Sequence, residues 1–231
     1  MAGLILHHYD FSPFSEKIRL AFGYKKLDWH SVETPLMAPK PDLVPLTAGY
    51  RRAPVLQIGA DVYCDTSLIL AEIDRRHPQP SLYPDGQRGL VQGWSAWWDR
   101  TTFFPAARLA TSIMGDQIPP DFIEERRSVM NQDFTKEASL GDRPLNLQRV
   151  HGAMACLAEQ LHGRHFILGD SLSAADLTAY HILWFMRKNG GTALEDMLPL
   201  APLRDWMERV AAFGHGNRHA MEASAALDVA R

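Results

Sequence analysis

The chain has 231 residues, 46% of them hydrophobic, with 24 Lys and Arg against 27 Asp and Glu for a formal net charge of −3. That is enough apolar material to bury a core without covalent staples, and the scattered, nearly balanced charge excludes the basic stripe of a nucleic-acid binder. Two cysteines, Cys64 and Cys156, are too few for a secreted disulfide scaffold, and no Cys/His cluster has metal-ligand spacing, so a metal-free protein of the reducing cytoplasm is expected.

At the N-terminus, "MAGLILHHYD" has too short an apolar run and no basic segment for a signal peptide, and no later run approaches ~18 apolar residues. No leader and no membrane span are therefore expected. Leu4 to Tyr9 reads as a strand. Ser12 then stands as an N-cap with Pro13 as first helical residue, and Ile18, Arg19, Leu20 and Phe22 continue an amphipathic helix to about Gly23. A short strand follows over Asp28 to Val32. In "PVLQIGADVYC" two β-rich runs, Val55 to Ile58 and Val62 to Cys64, flank the Gly59-Ala60-Asp61 turn of a hairpin. Asp65 and Thr66 open a helix through Arg76, with Thr66 at the N-cap.

The first 76 residues thus read β-α-β, loop, β-β-α, and "HPQPSLYPDGQ", with three prolines and a glycine, reads as a linker. Beyond Arg88 no strand pattern is evident, and helices are expected at about 88–113, 119–138, 145–162, 174–188 and 202–213. The division is residues 1–80 for the α/β domain and 88–231 for an all-helical one. Within the latter, Ser173 and Asp176 have the spacing of a capping box, with Leu172 and Leu177 at the staple positions, which marks a folding signal rather than a catalytic pair.

Four stretches, "SPFSEKIR", "RRAPVL", "YCDTS" and "LGDSLSAADL", in this order and spacing, resemble landmarks of the cytosolic glutathione transferases. The resemblance covers nearly the whole chain. It implies a thioredoxin-like α/β N-terminal domain of β-α-β-β-α type followed by an all-α helical domain. It also implies a cis bond between Ala53 and Pro54, which leaves the Ala53 backbone to pair with the extended glutathione peptide. Thr66 would hold the γ-glutamyl carboxylate at a helix N-terminus while Asp65 positions the ammonium. Arg51 or Arg52 would grip the glycyl carboxylate.

The glutathione thiol then arrives near Ser12, which stands where the most similar classes carry a cysteine, with Arg19 seven residues on as in that pattern. A hydroxyl donor at a helix N-terminus favours the thiolate, with the backbone N–H groups of Phe14 and Ser15 as further donors. Two other hydroxyls compete for this role: Tyr9 at the strand end and Ser15 one turn into the helix. Without an enzyme cysteine, thiol-transfer chemistry is in doubt and conjugation remains open.

The function implied is glutathione conjugation to a small hydrophobic electrophile by a homodimer, with glutathione as co-substrate. Alternatives are a glutathione-dependent isomerase, dehalogenase or etherase, or a non-catalytic binding or regulatory protein of the same fold. "WSAWWDRTTFFPAARL" offers Trp94, Trp97, Trp98, Phe103, Phe104 and Arg108 as an aromatic wall for the electrophile, though such spacing on a long helix more commonly marks core or a subunit interface. Tyr180, His181 and Trp184 pose the same choice.

Overall fold

The computed structural model describes residues 3–231. They form two compact units, the first of residues up to Arg88 together with Arg209–Arg231, the second of Gly89–Glu208. In the first, β1 (Leu4–His8) is followed by α1 (Pro13–Tyr24), β2 (Asp28–Glu33), the single turn α2 (Leu43–Leu46), the hairpin β3 (Val55–Ile58) and β4 (Asp61–Cys64), and α3 (Thr66–Arg76). β2 lies parallel to β1, with Leu4 opposite Trp29, and β3 lies antiparallel on its other side, with Leu6 opposite Leu56. Flanked by strands on both edges, β1 is buried at all five residues, which is why "LILHH" has no polar alternation to show and carries two histidines into the interior.

The second unit is entirely helical. It comprises α4 (Arg88–Thr101), α5 (Phe103–Met114), α6 (Pro120–Met130), α7 (Lys136–Gly141), α8 (Arg143–Leu161) and α9 (Ala174–Glu195), with α10 (Arg204–Ala211) at its boundary. Two expected helices are each broken in two. The 88–113 helix stops at Thr101 because Pro105 has no N–H for the Thr101 carbonyl and its ring would clash there. The 119–138 helix ends at Asn131, left-handed at φ 51°, and restarts where Thr135 Oγ1 accepts from Ala138 N at 3.3 Å. α9 runs beyond residue 188 and kinks at Gly191 (φ 53°).

α5 packs against α7, α8 and α9, and Trp98, Leu109, Val150, Leu157, Ile182 and Trp206 are buried in this unit's core. The Ser173–Asp176 motif is structural, as expected. The buried Asp176 carboxylate accepts from Ser173 N (2.9 Å) and Oγ (2.8 Å), Ile167 N (2.8 Å) and Trp206 Nε1 (3.0 Å). No helix among the described residues is long and apolar enough to cross a membrane.

Past α10 the chain returns to the first unit, and the expectation of an all-helical segment to residue 231 is corrected there. β5 (Asn217–Ala220) adds to the open edge of β2 in parallel, Asp28 opposite Asn217, giving a five-stranded sheet of order β4-β3-β1-β2-β5. α11 (Ala223–Val229) then places Ala226 against Ile5 and Val32. The junction is bonded throughout: Asn217 N to Leu27 O at 2.9 Å, Met221 N to Ser31 O at 3.0 Å, Trp29 Nε1 to His215 O at 2.7 Å and Gln57 Nε2 to Ala226 O at 2.8 Å. Gly23 is required at this approach, since a Cβ there would lie 2.0 Å from the Gly214 carbonyl oxygen.

Candidate active site

The first turn of α1 follows from Ser12-Pro13. Pro13 opens the helix with no amide to satisfy, and Ser12 Oγ accepts the Ser15 N–H at 3.1 Å. The Ser15 amide, expected to be available to a ligand, is therefore spent on the cap. A hydroxyl that accepts one bond still has its proton to donate. Ser12 and Ser15 are both buried, and Ser15 Oγ has no hydrogen-bond partner. Tyr9 is half-buried, with Lys40 Nζ 5.4 Å from its ring centroid.

The loop before Ser12 is held from beneath by Arg19. Its guanidinium donates to Asp10 O (3.0 Å), Glu16 Oε2 (2.6 Å) and His8 Nδ1 (3.1 Å), while His8 Nε2 bonds Ser31 Oγ at 2.8 Å. His8 is thus the neutral tautomer with its proton on Nε2. Burial, then the Arg19 charge, lowers its pKa to about 3. The C-terminal segment adds two clamps: His215 Nε2 to Glu16 Oε1 at 3.1 Å and Arg218 Nη1 to Asp10 Oδ1 at 2.9 Å. Burial alone would push the Glu16 carboxyl up, but the His215 hydrogen bond and Arg19 hold it below the ordinary carboxylate value. Sequence reasoning found Arg19 and missed His215 and Arg218, which lie about 200 residues from their partners in positions without a motif.

At α3 the cap is Asp65, not Thr66. Asp65 Oδ1 accepts Ser67 N at 2.8 Å, and Thr66 is the first helical residue, its side chain buried. Asp65 has φ 77° and ψ 129°, a backbone conformation that costs on the order of 1–3 kcal/mol in a non-glycine residue and collects at functional sites. The buried Lys17 of α1 donates from Nζ to Thr66 Oγ1 at 3.4 Å. Lys17, from the second turn of α1, thus brings a cation to the N-terminus of α3. No motif in the sequence singled out Lys17.

The Ala53-Pro54 bond is cis, as expected. Ala53 is half-buried, Pro54 leads into β3, and Arg52 is exposed while Arg51 is half-buried. Tyr50 feels the charges of Arg52 and Asp65, and burial raises its phenol pKa. Cys64, opposite Val55 in the hairpin, has its thiol pKa raised by burial and the Asp65 charge, so the cysteine nearest this site is not poised as a thiolate. Phe14 is half-buried, with Lys17 Nζ 5.5 Å from its ring centroid. Ser12 at the start of α1, Ala53 before the cis Pro54, and Asp65 and Thr66 at the start of α3 thus all belong to this one unit. Among the described residues no group of His, Cys, Asp or Glu has the arrangement of a metal site.

Of the aromatic residues of the helical unit, Trp98, Tyr180 and His181 are core, His181 with Nδ1 3.3 Å from Leu177 O. Trp97, Phe104 and Arg108 line a cavity within that unit.

Residues 6–81 match the family model described as glutathione S-transferase, N-terminal domain, and residues 95–209 match the glutathione S-transferase, C-terminal domain. A GST-like protein from Pseudomonas syringae is 36% identical, over 100% of this chain and 74% of its own, with a TM-score of 0.74. Two more distant structures share the fold. One is rice GST1, solved in complex with glutathione (19% identity, 99% and 95% coverage, TM-score 0.68). The other is the beta-etherase LigF from Sphingobium sp. strain SYK-6 (17% identity, 90% and 95% coverage, TM-score 0.67). No curated protein matches the chain.

Proposed function

The chain belongs to the glutathione S-transferase family, and on that premise we propose that it is a glutathione transferase activating the glutathione thiol through Ser12. The observation that carries the reading is the cation at the N-terminus of α3, with Lys17 Nζ of α1 3.4 Å from Thr66 Oγ1. The γ-glutamyl carboxylate lies at Thr66, where a helix N-terminus and the Lys17 ammonium favour negative charge. Asp65 takes the γ-glutamyl ammonium, the Ala53 backbone pairs with the cysteinyl residue beside Pro54, and Arg52 meets the glycyl carboxylate.

The thiol then faces the start of α1. There the Ser12 O–H and the Phe14 N–H stabilise the sulfur once its proton has left for solvent, lowering a thiol pKa that is otherwise near 8.5. The thiolate attacks the electrophilic carbon of a small apolar acceptor, forming a carbon–sulfur bond as a leaving group departs or a π bond takes up the electron pair. The sulfur belongs to the ligand, and this is why two hydroxyls suffice where a redox protein carries two cysteines. The working protein is a cytoplasmic homodimer.

A melting scan with and without glutathione tests the reading. Ligand at ~100 times its dissociation constant should stabilise the chain by ~2.7 kcal/mol, and Thr66→Ala should remove most of that gain. No shift in the wild type overturns the proposal. A shift without conjugation of 1-chloro-2,4-dinitrobenzene or any other electrophile leaves a binding protein.

A further inference from the structure

Two acids flank Ser12 in the chain, Asp10 two residues before it and Glu16 four after it. Both lean on one cation, since Arg19 Nη2 is 2.6 Å from Glu16 Oε2 and Arg19 Nη1 is 3.6 Å from Asp10 Oδ1. His8, which accepts from Arg19 and has its pKa lowered to about 3, adds no charge at neutral pH. One guanidinium between two carboxylates leaves a net negative charge, and a negative charge at this place works against a second anion at the start of α1.

The missing positive charge comes from the far end of the chain. Arg218 Nη1 lies 2.9 and 3.2 Å from the two oxygens of Asp10, and His215 Nε2 lies 3.1 Å from Glu16 Oε1. Burial alone would raise the Asp10 pKa, but Arg218 and then Arg19 hold it below the ordinary carboxylate value, so Asp10 is ionised at neutral pH. With His215 neutral, Asp10, Glu16, Arg19 and Arg218 balance.

An exposed ion pair is ordinarily worth little, because two flexible side chains must be held in one geometry. Arg218 is held by other means. It stands opposite Trp29 in the pairing of β5 with β2, its guanidinium carbon 5.8 Å from the centroid of that buried indole. The Trp29 N–H in turn donates to the His215 carbonyl at 2.7 Å. Strand pairing therefore delivers Arg218 to Asp10 whether or not the ion pair forms.

We propose that Arg218 is a positioning residue of the thiolate site, neutralising Asp10 so that no unpaired carboxylate opposes a glutathione sulfur held at Ser12. The inference rests on the reading of Ser12 given above and deepens it. It gives the returning segment a task in the chemistry as well as in the sheet.

Titrating the thiolate absorbance of bound glutathione in the full chain tests it, with the melting shift caused by glutathione as the check on binding. Arg218→Gln should keep that melting shift and raise the thiol pKa by about half a unit, the effect of one partly screened charge. Conjugation of 1-chloro-2,4-dinitrobenzene at neutral pH should then fall about threefold through kcat, with KM for glutathione unchanged, and recover in alkali. Arg218→Lys keeps the charge and should follow the wild type. Asp10→Asn alone should lower the thiol pKa by a similar amount, and Asp10→Asn combined with Arg218→Gln should return the curve to that of the wild type. A curve unmoved in both Arg218→Gln and Asp10→Asn, beside an intact melting shift, overturns this inference and leaves the Ser12 reading standing. A double variant as displaced as Arg218→Gln also overturns it, because the segment is then a brace only. A wild type that glutathione does not stabilise overturns the Ser12 reading and this inference together.

Discussion

Ser12 uses one lone pair to cap α1 and keeps its proton, so replacing it separates two effects. Ser12→Ala should cost about 1 kcal/mol of stability as a lost cap. It should also raise the pKa of bound glutathione by about one to two units, the equivalent of one charge-assisted hydrogen bond of about 1.5–3 kcal/mol. Glutathione affinity should hardly change, because the peptide's contacts lie elsewhere. Titrating the thiolate absorbance in Ser12→Ala, Tyr9→Phe and Ser15→Ala assigns the donor, and a curve that moves only in Tyr9→Phe gives the role to the tyrosine. His8 sets a different pH dependence. Its pKa is about 3 when folded against an ordinary 6.5, so between these values the unfolded chain binds a proton that the folded chain refuses. Stability is therefore highest above pH 6.5 and falls as pH drops towards 3, by on the order of a few kcal/mol in total. Urea unfolding at pH 7 and pH 5 should show that loss, and His8→Gln should show a shallower one.

The contact of α1 with the returning C-terminal segment is decided by backbone approach. Gly23→Ala places a methyl 2.0 Å from the Gly214 carbonyl oxygen, and the overpacking should outweigh the ~1 kcal/mol gained in helix propensity, for a net loss of roughly 2 kcal/mol or more. Gly152→Ala in α8, where nothing lies within 4 Å of an added Cβ, should instead stabilise by up to ~1 kcal/mol, and denaturant midpoints compare the two. The elements that were legible in the sequence carried their own punctuation: Ser12-Pro13 before α1, the Gly59 turn between β3 and β4, the Ser173–Asp176 box before α9. β5 carried none. All four of its side chains are exposed, so it shows neither an apolar run nor an alternation, and only the open edge of β2 makes Asn217–Ala220 a strand. The break between α4 and α5 was readable in Pro105, whose bar on the Thr101 carbonyl went unused. At the candidate site, the shift of the cap from Thr66 to Asp65 was not legible, because an acid and a hydroxyl side by side are both good caps.

For the whole molecule, a homodimer implies that apolar side chains exposed on one chain are covered in solution. Leu68 on α3 is 52% exposed, and Leu90 and Trp97 on α4 are 56% and 40% exposed, the pattern of surfaces that meet a partner. Light scattering at micromolar concentration should give twice the 26.0 kDa chain mass, Leu68→Asp should shift it toward one, and a monomeric wild type would count against the dimer. The returning strand also bears on how the protein is made. A ribosome adding about 5–20 residues per second releases β2 some ten to thirty seconds before the residues that cover its edge. Throughout that interval the nascent sheet displays unpaired amides and carbonyls along β2, while the helices from α4 to α9 are made one after another. The N-terminal unit of this chain begins first and closes last, so a translation product that stops between α9 and β5 carries a helical unit tethered to an adhesive sheet.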